Sequence, residues 1–497
     1  MGADSLIAGL AIIGIVIVVS ALLSGLIDKT GLPQVAVFLC LGAALGPSGL
    51  NVFNMTLDSP ILRVVATLSL TLVLFTDAVA LNIKEVRRNA GLAFRMLGPG
   101  TIVCAALTAL AAWWLLRIPP ASAAILGAAL ASTDPVLLRG LLRRRDISPE
   151  ARQALQLESG LNDVVLLPIV VVAIALSGQA QLNSGGFGKL GFGLFILGPG
   201  AGIAIGLIGV AALDLIRKRT GVRRDYESLY SLGVAFSAFA AAEAVHGSGF
   251  LAAFAAGMTI SALDVELCDC FIEYGGVTAE MLLLFTFVIF GSSLIWTGFS
   301  GLDGPTVIFA VIAILVRVPV YLVSMLGSNV DRHGRLLIAW FGPSGLSSLL
   351  LVLLPVFVGV PGSDRLFRVC ALIVLISIVI HGFSPMLLTR FSGKRKAEDE
   401  PPTPGPPKEG RSLPVVEPVV EPVQSQSVGA QTITLDELDR LQNLGEQVVL
   451  LDVRTERSRE TSDSQAEGSI RMPPENVVQQ ARELNLPKEA WLIAYCA

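Results

Sequence analysis

Two short stretches hold the residues best suited to chemistry. One reads Ala131-Ser132-Thr133-Asp134-Pro135-Val136, the other Glu158-Ser159-Gly160-Leu161-Asn162-Asp163. Each stands inside a long apolar run, and Val164 to Val172 follows the second at once. A carboxylate in hydrocarbon costs at least about 2.5 kcal/mol, so such residues face a cavity or a partner and mark function. Asp134 and Asp163, with nearby hydroxyls and amides, offer the hard oxygen ligands that suit an alkali cation. Burial in a low dielectric lets a proton compete for the same oxygens near neutral pH. A site that holds either an ion or a proton is sufficient for exchange if it opens alternately to the two sides.

The spacing says how these groups are held. Glu158, Asn162 and Asp163 lie at i, i+4 and i+5, so Glu158 and Asn162 share a helix face and Asp163 turns about 100° from Asn162. Pro135 removes a backbone donor beside Asp134 and should unwind its helix there, freeing carbonyls for a cation. Arg317, inside VIAILVRVPVYLV, is the other costly residue and needs an acidic partner. Glu158 is the first candidate for that role and Asp163 the second. A second interruption, Phe341-Gly342-Pro343-Ser344-Gly345, breaks a later apolar segment much as Thr-Asp-Pro breaks the earlier one. Paired broken helices at matching positions of an inverted repeat point to a transporter's binding site.

The elements that position these residues follow from composition. The chain has 497 residues, 53% hydrophobic and only 15% charged, with a mean hydropathy of +0.70. A soluble domain carries about 25% charge, so the chain belongs to the membrane class. Apolar stretches recur to about residue 390, and about thirteen membrane-crossing helices are predicted. They lie near 6–27, 32–50, 61–82, 92–116, 121–142, 153–176, 191–215, 226–246, 250–263, 278–297, 305–327, 335–358 and 366–389. The first run, from Leu6 to Ile27, lacks a basic leader and carries Asp4, so it reads as a helix and not a signal peptide. The ninth is short and could continue the eighth as a broken helix.

Basic residues such as Arg143, Arg144, Arg145, Arg217, Lys218 and Arg219 cluster after odd-numbered helices. About twenty basic charges stand on that side against about five on the other, which predicts an outside N-terminus and a cytoplasmic C-terminus in a multi-pass inner-membrane protein. The cysteines at 40, 104, 268, 270, 370 and 496 are scattered and form neither a disulfide framework nor a zinc site. Of the weaker candidates, Asp77 reads as a cap at a helix end, Glu243 and His246 as interface residues beside a turn.

These pieces resemble the cation:proton antiporter family of bacterial sodium/proton antiporters and animal sodium/hydrogen exchangers. The matching segments are LFTDAVALNI (74–83), ASTDPVLL (131–138), ESGLNDVV (158–165), GSGFLAAFAAGM (247–258), IAWFGPSGL (338–346) and HGFSP (381–385). The resemblance implies an all-α polytopic membrane fold with inverted repeats, a homodimer, and an ion-binding bundle that moves like an elevator against a scaffold. It implies that Asp163, Asp134 and Ser159 hold Na+ by side chain and Thr133 by its main-chain carbonyl. Glu158 would be the structural partner of Arg317, and His381 matches a family position. The Asn162-Asp163 pair is similar to that of electroneutral exchangers, so one proton per cation is expected. Many relatives carry arginine where this chain has Ser344, which leaves K+ or Li+ open beside Na+ as the cargo. No cofactor and no nucleic acid is implied; the bilayer is the partner.

The membrane part is predicted to span 1–393. Residues 394–431 are rich in Pro, Glu, Gln and Ser and read as a disordered linker. Within 432–497, Thr434 should cap an amphipathic helix, while VVLLDVR (448–454) and WLIAYC (491–496) read as buried strands of a small α/β unit. This segment resembles the first half of a rhodanese domain, whose sulfur-carrying cysteine would fall at Cys496. Glu467-Gly468-Ser469-Ile470 stands where that family has glycine-histidine, and the sequence as given ends one residue after Cys496. Sulfur transfer is therefore not expected of it.

Overall fold

The computed structural model describes residues 33–52, 54–81, 88–142, 147–177, 184–219, 224–263, 276–328 and 330–398, with short pieces between 14 and 22 and at 86. Beyond these it describes 448–453, 468–472 and 491–495. The chain divides into two units, Met1–Thr403 and Pro404–Ala497.

The first unit is helical. Its elements begin with α1 (Gln34–Leu45) and α2 (Pro60–Ala80), followed by α3 (Ala90–Leu116), which contains a π turn at Met96–Ile102. Next come α4 (Pro120–Ala131), α5 (Pro135–Leu142) and the long α6 (Pro149–Ser177). A short helix Ser184–Phe192 and a π turn lead into α7 (Gly198–Arg219), then α8 (Arg224–Ala244) and α9 (Gly249–Leu263). The last group is α10 (Gly276–Ile289), α11 (Gly304–Leu315), α12 (Arg317–Ser324), α13 (Arg332–Trp340), α14 (Leu346–Phe357) and α15 (Ser363–Glu398).

Helix starts follow local chemistry. Proline stands in the first turn of α2 and α4, where no backbone donor is needed. Asp303 and Asp331 cap α11 and α13, accepting from the Thr306 N–H at 2.8 Å and the Gly334 N–H at 3.1 Å. Glu243 caps α9 across the turn at His246, accepting the Gly249 N–H at 3.0 Å. That turn separates α8 from α9, so the ninth predicted segment is a helix of its own.

Among the described residues eight helical spans are long and apolar enough to cross a membrane, and four apolar helices are shorter. The predicted count of about thirteen is not reached among the described residues. The first predicted segment falls almost wholly outside them, and the predicted segments 121–142 and 335–358 are each split at a break.

Burial runs opposite to that of a soluble protein. Large apolar side chains on α3 and α7 face outward, Trp114 at 74% and Ile208 at 64% exposure. Hydrocarbon is the natural solvent of such a surface, whereas water would leave a patch far larger than soluble monomers show. Inside, close packing relies on backbone approach as in other membrane bundles. Helix α1 crosses α10 and its continuation so tightly that a Cβ at Gly42 would lie 2.2 Å from the Val288 carbonyl.

In the second unit three parallel strands, β1 (Val448–Asp452), β2 (Ile470–Arg471) and β3 (Trp491–Tyr495), lie in the order β2-β1-β3. The predicted helix at Thr434, the Pro-rich stretch beyond Glu398 and Cys496 lie outside the described residues.

Gly42→Val should lower the thermal unfolding midpoint of the detergent-solubilised protein, by the equivalent of about 1–3 kcal/mol for an overpacked contact. Gly91→Ala, which would meet nothing within 4 Å, should leave it unchanged.

Candidate functional site

Between α4 and α5 the helix opens at Ser132-Thr133-Asp134, and between α13 and α14 it opens at Phe341–Gly345. Opening a helix in hydrocarbon strands its terminal N–H and C=O groups with no water to meet them. The two breaks solve this by satisfying each other. Their backbones join directly, the Asp134 N–H donating to the Pro343 carbonyl at 2.9 Å.

Side chains complete the closure. Asp134 accepts the Val136 N–H at 2.9 Å through Oδ1 and the Leu346 N–H at 2.7 Å through Oδ2. One carboxylate thus caps the N-termini of both α5 and α14, where two helix dipoles place partial positive charge. Gly345 is required here, because a Cβ would stand 2.1 Å from Asp134 Oδ2. The stranded carbonyls are met in turn. Ser344 Oγ donates to the Leu130 carbonyl at 3.0 Å and Ser348 Oγ to the Ser132 carbonyl at 3.3 Å. Arg317 Nη2 donates to the Ile338 carbonyl at 2.9 Å and the Phe341 carbonyl at 3.4 Å, closing the end of α13.

Helix α6 passes this crossing and presents the second set of predicted residues. Asp163, 2% exposed, accepts from Ser132 Oγ at 2.5 Å, and Ser347 also hydrogen-bonds its carboxylate. Asn162, wholly buried, donates to Thr133 Oγ1 at 2.6 Å and leaves its own Oδ1 without a hydrogen-bond partner. Ser159 is buried and its hydroxyl donates to the Gln156 carbonyl at 3.3 Å. Asp134, Asp163, Thr133 and Asn162 therefore meet at one crossing. An unfilled amide oxygen and a carboxylate held only by hydroxyls are groups a small cation can recruit.

One turn before Asp163, Glu158 pairs with Arg317 through both carboxylate oxygens, with Nη1 on Oε1 and Nη2 on Oε2 at 2.7 Å. The guanidinium occupies the space that Gly342 leaves open, where a Cβ would lie 2.0 Å from Nε. A bidentate pair with satisfied carbonyl contacts is the form in which an arginine tolerates burial. Tyr321, one turn after Arg317, adds a hydrogen bond to Glu158 at 2.8 Å.

Of the residues singled out less firmly, His381 is buried and its Nδ1 lies 3.1 Å from Ser377 Oγ, which in turn accepts the Ser344 N–H at 3.0 Å. It is thereby tied to the second break. Glu243 is the cap of α9, and His246 lies in the turn before it. Reading by charge alone missed Ser132, Ser347, Ser348, Ser377 and Tyr321. Ser132 stood inside the quoted segment; the others lie in apolar runs where serine and tyrosine carry no signal.

Two changes test this geometry. Glu158→Gln leaves a buried guanidinium with no counter-charge and should destabilise the solubilised protein by about 3–5 kcal/mol. The double change Glu158→Gln with Arg317→Met should recover a large part of that loss in the same thermal unfolding measurement, because it removes the stranded charge.

Comparison with known proteins identifies the family. Residues 15–389 match the family model described as "Sodium/hydrogen exchanger, transmembrane". The K(+)/H(+) antiporter NhaP2 of Shewanella sp. (strain ANA-3) is 27% identical over 410 residues, covering 79% of this chain and 68% of that protein. The K(+)/H(+) antiporter NhaP of Alkalimonas amylolytica is 23% identical over 387 residues, covering 76% and 66%. The chain thus spans about two thirds of the length of these relatives. The solved structure of the sodium proton antiporter MjNhaP1 from Methanocaldococcus jannaschii superposes with a TM-score of 0.62 at 20% identity, covering 79% of this chain and 98% of that one. The match runs through both broken helices, α6 and Arg317, and the chain belongs to the transmembrane sodium/hydrogen exchanger family, whose members are transporters and not enzymes.

Proposed function

We propose that the chain exchanges a monovalent cation for a proton, with Asp163 as the group both compete for. The observation that carries this reading is the state of the two carboxylates at the crossing. Both oxygens of Asp134 accept backbone N–H groups of helix ends, whereas Asp163 is held by hydroxyls that can turn toward an ion. Asp163, Asp134, Ser159 and the Thr133 carbonyl would form the cation shell, with Asn162 Oδ1 as a further oxygen. Ser159 would then exchange its bond to Gln156 for the ion.

With Glu158 committed to Arg317, one carboxylate remains to load and release a proton, which favours one proton per cation. Alternation would come from the two joined breaks moving together with α6 against the scaffold helices. The basic-residue bias supports an outside N-terminus and a cytoplasmic tail, and a homodimer in the cell membrane is part of the same reading. Na+ is the first candidate cargo. K+ is the second, favoured by the relatives named as K(+)/H(+) antiporters. Ser344, which supplies a neutral cap to α4, is the residue where the choice would be tuned. The tail remains a candidate rhodanese-like unit, regulatory if it acts through Cys496.

Everted membrane vesicles carrying a respiration-generated pH gradient test the proposal. Addition of Na+, Li+ or K+ should collapse the gradient in proportion to cation concentration. Asp163→Asn should reduce the response to that of vesicles lacking the protein. A response to K+ alone would retain the exchange and replace the cargo. Absence of any response from folded protein in the membrane would refute the exchange.

A further inference from the structure

Tyr321 is wholly buried, and its hydroxyl sits between two partners from different helices. One is Glu158 Oε1 on α6, at 2.8 Å; the other is Thr101 Oγ1 in the π turn of α3, at 3.1 Å. Proton accounting orders this chain. A carboxylate only accepts, so the single phenolic hydrogen goes to Glu158. The Tyr321 oxygen is then left as an acceptor, and the one hydrogen of Thr101 Oγ1 is divided between it and the Met96 carbonyl of the same π turn, each 3.1 Å away. The ring is pinned as well. The Arg317 guanidinium carbon lies 3.9 Å from its centroid, and Gly100 of the π turn lies against its edge, where a Cβ would come within 3.2 Å.

Glu158 therefore receives two hydrogen bonds from Arg317 and one from Tyr321, all three from a helix 159 to 163 residues away in the chain. Without the phenol, Oε1 would keep a single donor on a carboxylate buried one turn from Asp163. That carboxylate could rotate about its terminal bond and offer an oxygen toward Asn162, its i+4 neighbour. Arg317 would loosen with it, and Arg317 also closes the end of α13 at Phe341, the first residue of the break. The titratable and charged groups facing the hydroxyl are Glu158 from α6, Arg317 from its own helix and Cys104 from α3. Arg317 Nη1 and Nη2 are already engaged with Glu158 and two carbonyls, so the phenol is the one further donor on Oε1.

We propose that Tyr321, oriented by Thr101 in the π turn of α3, is a positioning residue that holds Glu158 on Arg317 and out of the ion site, and so sets the cation and proton affinity at Asp163. Thr101 lies in a π turn, and such turns occur often at functional sites. The inference rests on the exchange reading above and adds to it the element that keeps a third carboxylate from taking part.

The experiment compares wild type, Tyr321→Phe, Thr101→Val and Thr101→Ser in everted vesicles, with the apparent KM for the cation and the full pH profile as readouts. Tyr321→Phe keeps the ring under Arg317 and removes only the hydroxyl. Its apparent KM at alkaline pH should fall about fivefold, the scale of one ordinary hydrogen bond, and its pH profile should shift to higher pH, because a carboxylate brought toward the site favours both cation and proton. Thr101→Val should move both in the same direction by less, and Thr101→Ser should behave as wild type. The threonine pair keeps the test decisive if Tyr321→Phe does not fold. Unchanged KM and pH profile in Tyr321→Phe, or a loss of maximal rate alone, would overturn the proposal while leaving the exchange reading intact. A wild type that exchanges no cation would overturn both.

Discussion

No backbone group can be left unpaired in hydrocarbon, and the whole centre of this protein is arranged around that constraint. Two helices open in the middle of the bundle. Each opening exposes the donors of one half-helix and the acceptors of another. The breaks are placed against each other, so that Asp134 serves two sets of donors while Ser344, Ser348 and Arg317 serve the acceptors. What remains at the crossing after this mutual closure is a small group of oxygens, with Asp163 at its centre. The proposed ion site lies where polar backbone had to be gathered in one place.

The charges are sorted by the same requirement. Asp134 is neutralised by helix ends, and Glu158 by Arg317 and Tyr321. Asp134 is engaged by backbone N–H groups at helix ends, and Glu158 by a guanidinium and a phenol. Asp163 is engaged by hydroxyls, which rotate and can accept as readily as they donate. Three carboxylates within a few turns thus have different freedoms, and the difference lies in the partner, not in the residue type. A carboxylate that is free to trade a hydroxyl for an ion or a proton is the one suited to transport.

Rigid and adjustable parts are also distinguished by packing. Close backbone contacts, such as Gly42 against Val288, leave no room for side chains to slide. The crossing depends on side-chain hydroxyls and one unfilled amide oxygen, which can be rearranged without moving backbone. Three π turns lie among the described residues, and the one in α3 carries Thr101 to Tyr321.

Much of this was legible in the sequence because the bilayer imposes simple rules. Long apolar runs mark helices, a charge inside one marks function, and Pro135 and Gly342-Pro343 mark breaks, so Asp134, Asp163, Glu158 and Arg317 could be named from local pattern. The pairing of Arg317 was not determined there; Glu158 and Asp163 were both open, and only the bidentate geometry in the folded bundle decides for Glu158. Likewise no local signal told that Asp134 would cap a helix 212 residues away, or that Ser132, Ser347 and Tyr321 would hold the carboxylates. A serine or tyrosine in an apolar run is unremarkable until a partner from another helix stands opposite it. Residue type and period determined which groups had to be satisfied; the packing of distant helices decided by whom.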